Sequence, residues 1–384
     1  MPRGRVMERP PFECIALLLQ GGGALGAYQA GAYEALAEAG LQPDWVAGIS
    51  IGAINSALIA GNPPQERVAR LRQFWESVTA NEALRLAAAL GSWYLKGDQP
   101  REYYNQSSAA LAMSAGVPGF FLPRSIPPYL CPDGSLEATS WYDTAPLRQQ
   151  LERLVDFDRI NGGAMRLSVG AVNVTSGNFV YFDRNTRRIG PEHIMASSAF
   201  PPAFPAVKIE GEHYWDGGLV SNTPLQWVLQ NGPRQDTLAF QVDLWSARGN
   251  FPGNLSEVET RRKEIGFSSR TRDNTDQFRK LQQLRCLTAS LLEKLPEAER
   301  NTPAMRALAQ FADHKVYRVV HLIYHAQLYE GDSKDYEFSR RSMEEHWRAG
   351  YDDTVRSLRH PEALTRPPAG EGAATFDVAT AGGD

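Results

Sequence analysis

A serine framed by glycines, Gly48-Ile49-Ser50-Ile51-Gly52, is the stretch of this chain best suited to nucleophilic attack on an acyl carbon. It falls where the apolar run Trp45-Val46-Ala47 gives way to the helix-like Ala53-Ile54-Asn55-Ser56-Ala57-Leu58. A strand that reverses sharply into a helix holds its middle residue in a strained conformation, and Gly48 and Gly52 leave room for the two elements to pack closely. The Ser50 hydroxyl is then exposed at a helix N-terminus, where free amides and the helix dipole favour developing negative charge.

An earlier loop, Gly21-Gly22-Gly23-Ala24-Leu25-Gly26, lies between the aliphatic run 14–20 and a helical stretch over 27–39 that Gly40 ends. Gly21, Gly23 and Gly26 satisfy the GxGxxG spacing of a dinucleotide site, in the required context between strand and helix. Such a site also needs an acid at the C-terminal end of the second strand to hold the ribose. Here Asp44 lies before that strand and Ser50 occupies its end. The loop is better explained as an oxyanion hole in which the amides of Gly21, Gly22, Gly23 and Ala24 face the serine and stabilise charge as it develops. No cofactor and no metal is implied.

The serine needs a proton acceptor. In the order serine, acid, histidine, His314, His321, His325, His346 and His360 are available, yet none sits in a short loop after a strand; His321 and His325 belong to the strand-like run 316–325. The alternative is a carboxylate tuned by burial and hydrogen bonds. Asp216, at a strand end before Gly217 and Gly218, is the leading candidate, and Asp243, at the end of the strand 237–242, is its rival.

Two successive units of strand, glycine loop and helix imply a parallel sheet covered on both faces, with both loops opening at one sheet edge. Residues 61–80 read as an amphipathic helix carrying Val68, Leu71, Phe74, Trp75 and Val78. Residues 81–141 show little periodicity and many prolines and aromatics, which reads as a lid or substrate-facing insertion. Strands are expected at 166–173, 177–183 and, in two pieces about Gly211, at 207–215. Residues 246–360 are charged and mainly helical, with a strand near 316–324 and a last helix over 336–358. Residues 1–12 read as a flexible lead and 361–384 as a disordered tail.

With 384 residues, 42% hydrophobic and 22% charged, the chain is globular and has ample core for one large domain or two modest ones. Its 40 Lys and Arg against 44 Asp and Glu, net −4, give no global basic field, which argues against a nucleic-acid partner. Cys14, Cys131 and Cys286 are odd in number and far apart, which suits a reducing compartment. The run 15–19 is too short for a signal-peptide core, and no stretch approaches the roughly 18 apolar residues of a membrane span. A soluble, cytoplasmic protein is expected. The basic residues at 261–263 and 270–272, beside the amphipathic 278–295, read as a solvated helix surface or as a peripheral contact with anionic lipid at the inner face of a membrane.

The glycine loop at 21–26, the pentad at 48–52 and Asp216-Gly217-Gly218, in this order, resemble the patatin-like phospholipases and lipid acyl hydrolases. The stretch Asp216-Gly217-Gly218-Leu219-Val220-Ser221-Asn222-Thr223-Pro224 is similar to that family's extended motif. The resemblance covers residues 13–245 and implies a three-layer α/β/α sandwich around a mostly parallel sheet. It also implies a Ser50–Asp216 dyad without histidine, the loop as oxyanion hole, and a lipid or ester substrate. The extension over 246–360 resembles one attached to a bacterial subgroup of the family. Leu25 stands where many members carry Arg or Lys, which leaves the electrostatics of the hole to backbone amides. The expected activity is therefore hydrolysis of lipid carboxylic esters through an acyl-enzyme. The competing expectations are an acyltransferase of the malonyl-transfer type, which pairs its serine with histidine, and a catalytically silent lipid-binding protein.

Overall fold

A computed structural model describes residues 7–79, 97–231, 234–368 and 370–378. The first aliphatic run forms β1 (Cys14–Leu19), buried along its whole length. Successive side chains of a strand point to opposite faces, so Ile15, Leu17 and Leu19 enter one apolar cluster while Cys14, Ala16 and Leu18 enter another. That division marks a sheet covered on both sides. There follow α1 (Ala27–Glu38), β2 (Trp45–Ile49), α2 (Ile51–Ala60), α3 (Arg67–Val78) and α4 (Asp98–Ala115). A two-strand ladder of β3 (Leu122–Pro123) and β4 (Tyr142–Asp143) stands apart from the main sheet and leads into α5 (Ala145–Leu154). Next come β5 (Arg166–Asn173), β6 (Phe179–Asp183), α6 (Pro191–Ser197), β7 (Val207–Ile209), β8 (Glu212–Asp216), α7 (Leu225–Asn231) and β9 (Thr237–Asp243). The chain continues through α8 (Leu255–Lys294), β10 (Tyr317–Ile323), α9 (Arg340–Ser357) and β11 (Ala373–Asp377).

The main sheet has nine strands in the order β11-β10-β9-β1-β2-β5-β8-β7, with β6 also on β5. Pairing is parallel from β11 through to β5 and antiparallel among β5, β6, β7 and β8. The fold is thus α/β with a mostly parallel sheet, and helices flank it.

The register on β5 decides where the chemistry falls. β6 pairs with residues 168–172 of β5 and so takes one of its edges. Because their pairings overlap that span, β2 and β8 must share the other edge. β2 holds it up to the pair Ile49↔Gly170, and β8 takes over at the next residue with Asp216↔Ala171. The strand end that carries Ser50 and the strand end that carries Asp216 therefore meet head to head.

Three expectations need correction. Residues 98–115, read as irregular, form a long helix whose buried face is Arg101, Tyr104, Asn105, Ser108, Ala109 and Ala112. Small and polar residues on that face hide the helical period. Residues 81–96 of the expected lid lie outside the described residues. The expected tail contains β11, which extends the sheet in parallel from β10, so 373–377 are ordered by backbone pairing rather than by a strong apolar pattern. In the expected flexible lead, the Met7 N–H donates to the Ala39 carbonyl at 2.9 Å and Phe12 is buried in the core.

Candidate active site

Ser50 joins β2 to α2 at φ +57° and ψ −126°, a region that costs a residue with a Cβ about 1–3 kcal/mol. The surrounding backbone leaves it little choice. A Cβ on Gly48 would come within 2.2 Å of the Gly52 carbonyl oxygen, and one on Gly52 within 2.2 Å of the Leu19 carbonyl oxygen, so both glycines are required by the tightness of the turn. The Ser50 N–H donates to the Ser197 carbonyl and hydroxyl, each at 3.1 Å, and the Ser198 hydroxyl donates to the Ser50 carbonyl at 3.1 Å. Ser197 Oγ in turn donates to the Gly170 carbonyl at 2.6 Å. These two serines brace the strained turn. In the sequence they mark only the end of a proline-broken helix, and nothing there distinguishes them.

Asp216 ends β8 with its side chain buried. Oδ1 accepts from the Gly218 N–H at 2.7 Å, which holds the Asp-Gly-Gly turn. Gly217 fits because a Cβ there would press within 2.7 Å of the Gly170 carbonyl oxygen. Oδ2 is buried and has no partner in hydrogen-bond geometry among the described residues. Burial pushes the carboxyl up to about 7; the nearby Ser50 hydroxyl and the Gly218 amide oppose that rise. The Ser50 hydroxyl and the Asp216 carboxyl line one cavity, close enough for the hydroxyl to favour the charged carboxylate.

Of the four amides in the glycine loop, two are already committed. The Gly21 N–H donates to the Asn222 carbonyl at 3.3 Å and the Ala24 N–H to the Asp335 carbonyl at 2.8 Å. Of the expected donor set Gly21, Gly22, Gly23 and Ala24, Gly22 and Gly23 have no acceptor among the described residues. The Gly21 carbonyl accepts from Asn222 Nδ2 at 2.9 Å and Trp245 Nε1 at 3.0 Å. In a planar trans peptide this turns the Gly22 N–H away from both donors. Gly23 has φ +55°, and a Cβ on it would lie 2.0 Å from the Asp335 carbonyl oxygen. Gly26 packs against Ile51 and Trp75 and has a structural place rather than a position at the cavity.

Ser50, Asp216 and residues 21–23 share one cavity of about 340 Å³. Its walls are apolar: Phe120, Phe121 and Phe204 stand on one side, with Phe200 and Trp245 also lining it. The C-terminal part of the chain supplies Phe267, Asp335, Tyr336 and Phe338. No histidine is among the described lining residues. His321 and His325 line a second cavity together with Asp243, the rival carboxylate, whose Oδ2 lies 3.7 Å from His321 Nδ1. Elsewhere His346 pairs with buried Glu330, His314 with Glu293 and His360 with Glu362.

These features define an α/β protein built around a nucleophile elbow. A family model described as patatin-like phospholipase matches residues 17–228, more than half of the chain, and one described as patatin phospholipase matches residues 265–370. The chain belongs to the patatin-like phospholipase family. A patatin-like phospholipase domain-containing protein of Caenorhabditis elegans is 41% identical over 70 residues, 18% of this chain and 6% of that protein. Patatin-like phospholipase domain-containing protein 7 of Rattus norvegicus is 36% identical over 91 residues, 20% of this chain and 7% of that protein. The matches thus span a small part of the length of these relatives. Among solved structures, VipD from Legionella pneumophila aligns over 93% of this chain and 71% of its own, at 15% identity and a TM-score of 0.39. The complex of full-length SpcU with full-length ExoU from the type III secretion system of Pseudomonas aeruginosa aligns over 79% and 68%, at 15% identity and a TM-score of 0.25.

Proposed function

We propose that the chain is a serine acyl hydrolase that cleaves lipid carboxylic esters, of the phospholipase A or lysophospholipase type, through a Ser50–Asp216 dyad. The observation that carries this reading is the meeting of a strained serine and a buried carboxylate in one apolar cavity. Asp216 takes the proton from Ser50 Oγ as that oxygen attacks the ester carbonyl carbon. The oxyanion forms against the Gly22 and Gly23 N–H groups, where one such donor is worth about 2.7–4 kcal/mol. Collapse breaks the bond to the alcohol, which leaves with the proton from Asp216. Water then gives its proton to the same carboxylate and attacks the acyl-enzyme carbonyl; the bond to Ser50 Oγ breaks, Asp216 returns the proton to that oxygen, and the acid is released. The acyl chain lies along the phenylalanine walls, where burial of apolar surface favours it.

The test is labelling by a fluorophosphonate probe mapped to Ser50, together with hydrolysis of short-chain and long-chain p-nitrophenyl esters. Wild type is expected to hydrolyse both, and Ser50→Ala and Asp216→Asn to lose at least about a thousandfold in kcat. Undiminished hydrolysis by either variant removes that residue from the mechanism. An acyltransferase of the malonyl-transfer type would instead depend on a histidine, and the candidates for it, His321 and His325, line the other cavity. A silent lipid-binding protein would bind lipid and leave the probe unreacted.

A further inference from the structure

Residues 122–141 form an excursion on the rim of the Ser50 cavity. It leaves and rejoins the cavity wall at its two ends. Phe121 and Tyr142, which flank it, both line the cavity. The Trp141 and Tyr142 N–H groups donate to the carbonyls of Pro202 and Ala203 at 3.1 and 3.0 Å, which straps the excursion to another stretch of wall. Its outer side is apolar as well. Leu122 is 47% exposed, Ile126 57%, Tyr129 84%, Leu130 76%, Leu136 48% and Trp141 42%. At both ends the chain turns from cavity to solvent within one residue: Phe121 lines the cavity and Leu122 is exposed, Tyr142 lines it and Trp141 is exposed. An apolar outer patch of this kind is unfavourable in water unless something covers it.

The patch is held in shape before anything docks. The Tyr129 and Trp141 rings meet edge to face with centroids 5.5 Å apart. The Arg124 guanidinium donates to the Ser140 carbonyl at 3.0 Å and to its hydroxyl at 2.8 Å. Preorganised side chains lose less freedom on binding.

Charge selects among partners. The charged residues between 122 and 141 are Arg124, Asp133 and Glu137, so there is no cationic cluster to attract anionic head groups. Of the basic residues at 261–263, Arg261 is held by Glu264 and the Ala247 carbonyl and Lys263 by Asp335, while Arg262 pairs with Glu259 at the surface. We propose that the outer face of residues 122–141 docks on a zwitterionic lipid surface, with Ile126, Tyr129 and Leu130 entering the interface beside the mouth of the Ser50 cavity. Tyrosine and tryptophan suit that depth, with an apolar body and a polar tip. The proposal rests on the lipid-hydrolase reading for its purpose, and the docking itself needs no catalysis.

The experiment is co-sedimentation of the full-length Ser50→Ala protein with phosphatidylcholine vesicles at low and high salt. Binding is expected in both, and is expected to fall by about tenfold or more when Ile126, Tyr129 and Leu130 are changed together to serine. In the Ser50-containing background the same triple change should leave the melting temperature and the hydrolysis of p-nitrophenyl butyrate as in wild type. Failure to bind phosphatidylcholine, a requirement for anionic lipid that salt removes, or equal binding by the triple variant overturns the proposal. So does a dimer in sedimentation velocity that the triple change dissociates, since the face would then be covered by a second copy. Patch-dependent vesicle binding without ester hydrolysis would sink the hydrolase reading and leave docking standing; hydrolysis without vesicle binding would do the reverse.

Discussion

The Asp216 carboxyl, buried and pushed up to about 7, is held in the form that costs stability wherever it is ionised. An unfolded aspartate titrates near about 4. Between these values the folded state binds the extra proton, so the penalty is absent below about pH 4, grows as pH rises and levels off above about pH 7. Asp216→Asn is therefore expected to melt at a higher temperature than wild type, by a gap that widens from pH 4 to pH 7 and stays constant above, read by calorimetry. In the proposed mechanism the same ionisation serves the chemistry. As the base form is the active one, kcat/KM for a soluble ester should rise through about pH 7 to a plateau, and a flat profile from pH 5 to pH 9 would count against Asp216 as base. At Ser50 the conflict is steric. Ser50→Gly should relieve the positive φ and raise stability in urea by about 1 kcal/mol while abolishing activity; Ser50→Ala should abolish activity and leave stability near wild type.

In the glycine loop the free donors owe their direction to groups far away in sequence. Trp245 and Asn222 fix the Gly21 carbonyl, and the Asp335 carbonyl closes on Gly23 and Ala24. Gly23→Ala adds a methyl 2.0 Å from the Asp335 oxygen at a φ of +55°, so the loop must shift. A loss of about a hundredfold in kcat is expected with little change in KM, measured on a soluble ester alongside an unchanged far-ultraviolet circular dichroism spectrum. Trp245→Phe keeps the ring and removes the donor, and should lower kcat to a smaller degree in the same assay. The elbow glycines were legible in the sequence because a strand, a serine and a helix sit side by side in the chain. α4 and β11 were not. The buried face of α4 is small and polar, and β11 is a strand because β10 offers it a parallel edge.

Across the whole molecule, the part of the chain after residue 246 completes the structure rather than appending to it. β10 and β11 widen the sheet, and Phe267, Tyr336 and Phe338 close the cavity. α9 lies so close on α1 that a Cβ on Gly31 would be 1.8 Å from the Trp347 carbonyl oxygen, and one on Gly350 would be 1.9 Å from that of Tyr28. Gly350→Val should force the helices apart, at a cost of about 1–3 kcal/mol or more, seen as a lower urea midpoint at unchanged slope. A chain ending near residue 250 would expose the edge of β9 and the apolar cavity wall, and is expected to aggregate on expression. No helix among the described residues is long and apolar enough to cross a membrane.

What the sequence determined by itself was local: the turn that only glycines at 48 and 52 permit, the serine at its apex, a glycine loop one unit earlier, and an aspartate before two glycines. Each follows from steric limits acting over a few residues. Ser50 and Asp216 are separated by a long stretch of chain, and their encounter depends on β5 offering one edge to β2 and then, a residue later, to β8. The choice between Asp216 and Asp243 rests on that register, since both end a strand and only one ends beside Ser50. The loss of Gly21 and Ala24 as free donors is likewise tertiary. Their amides are taken by carbonyls of Asn222 and Asp335, and hydrogen bonds between residues so distant in the chain leave no mark on the local pattern.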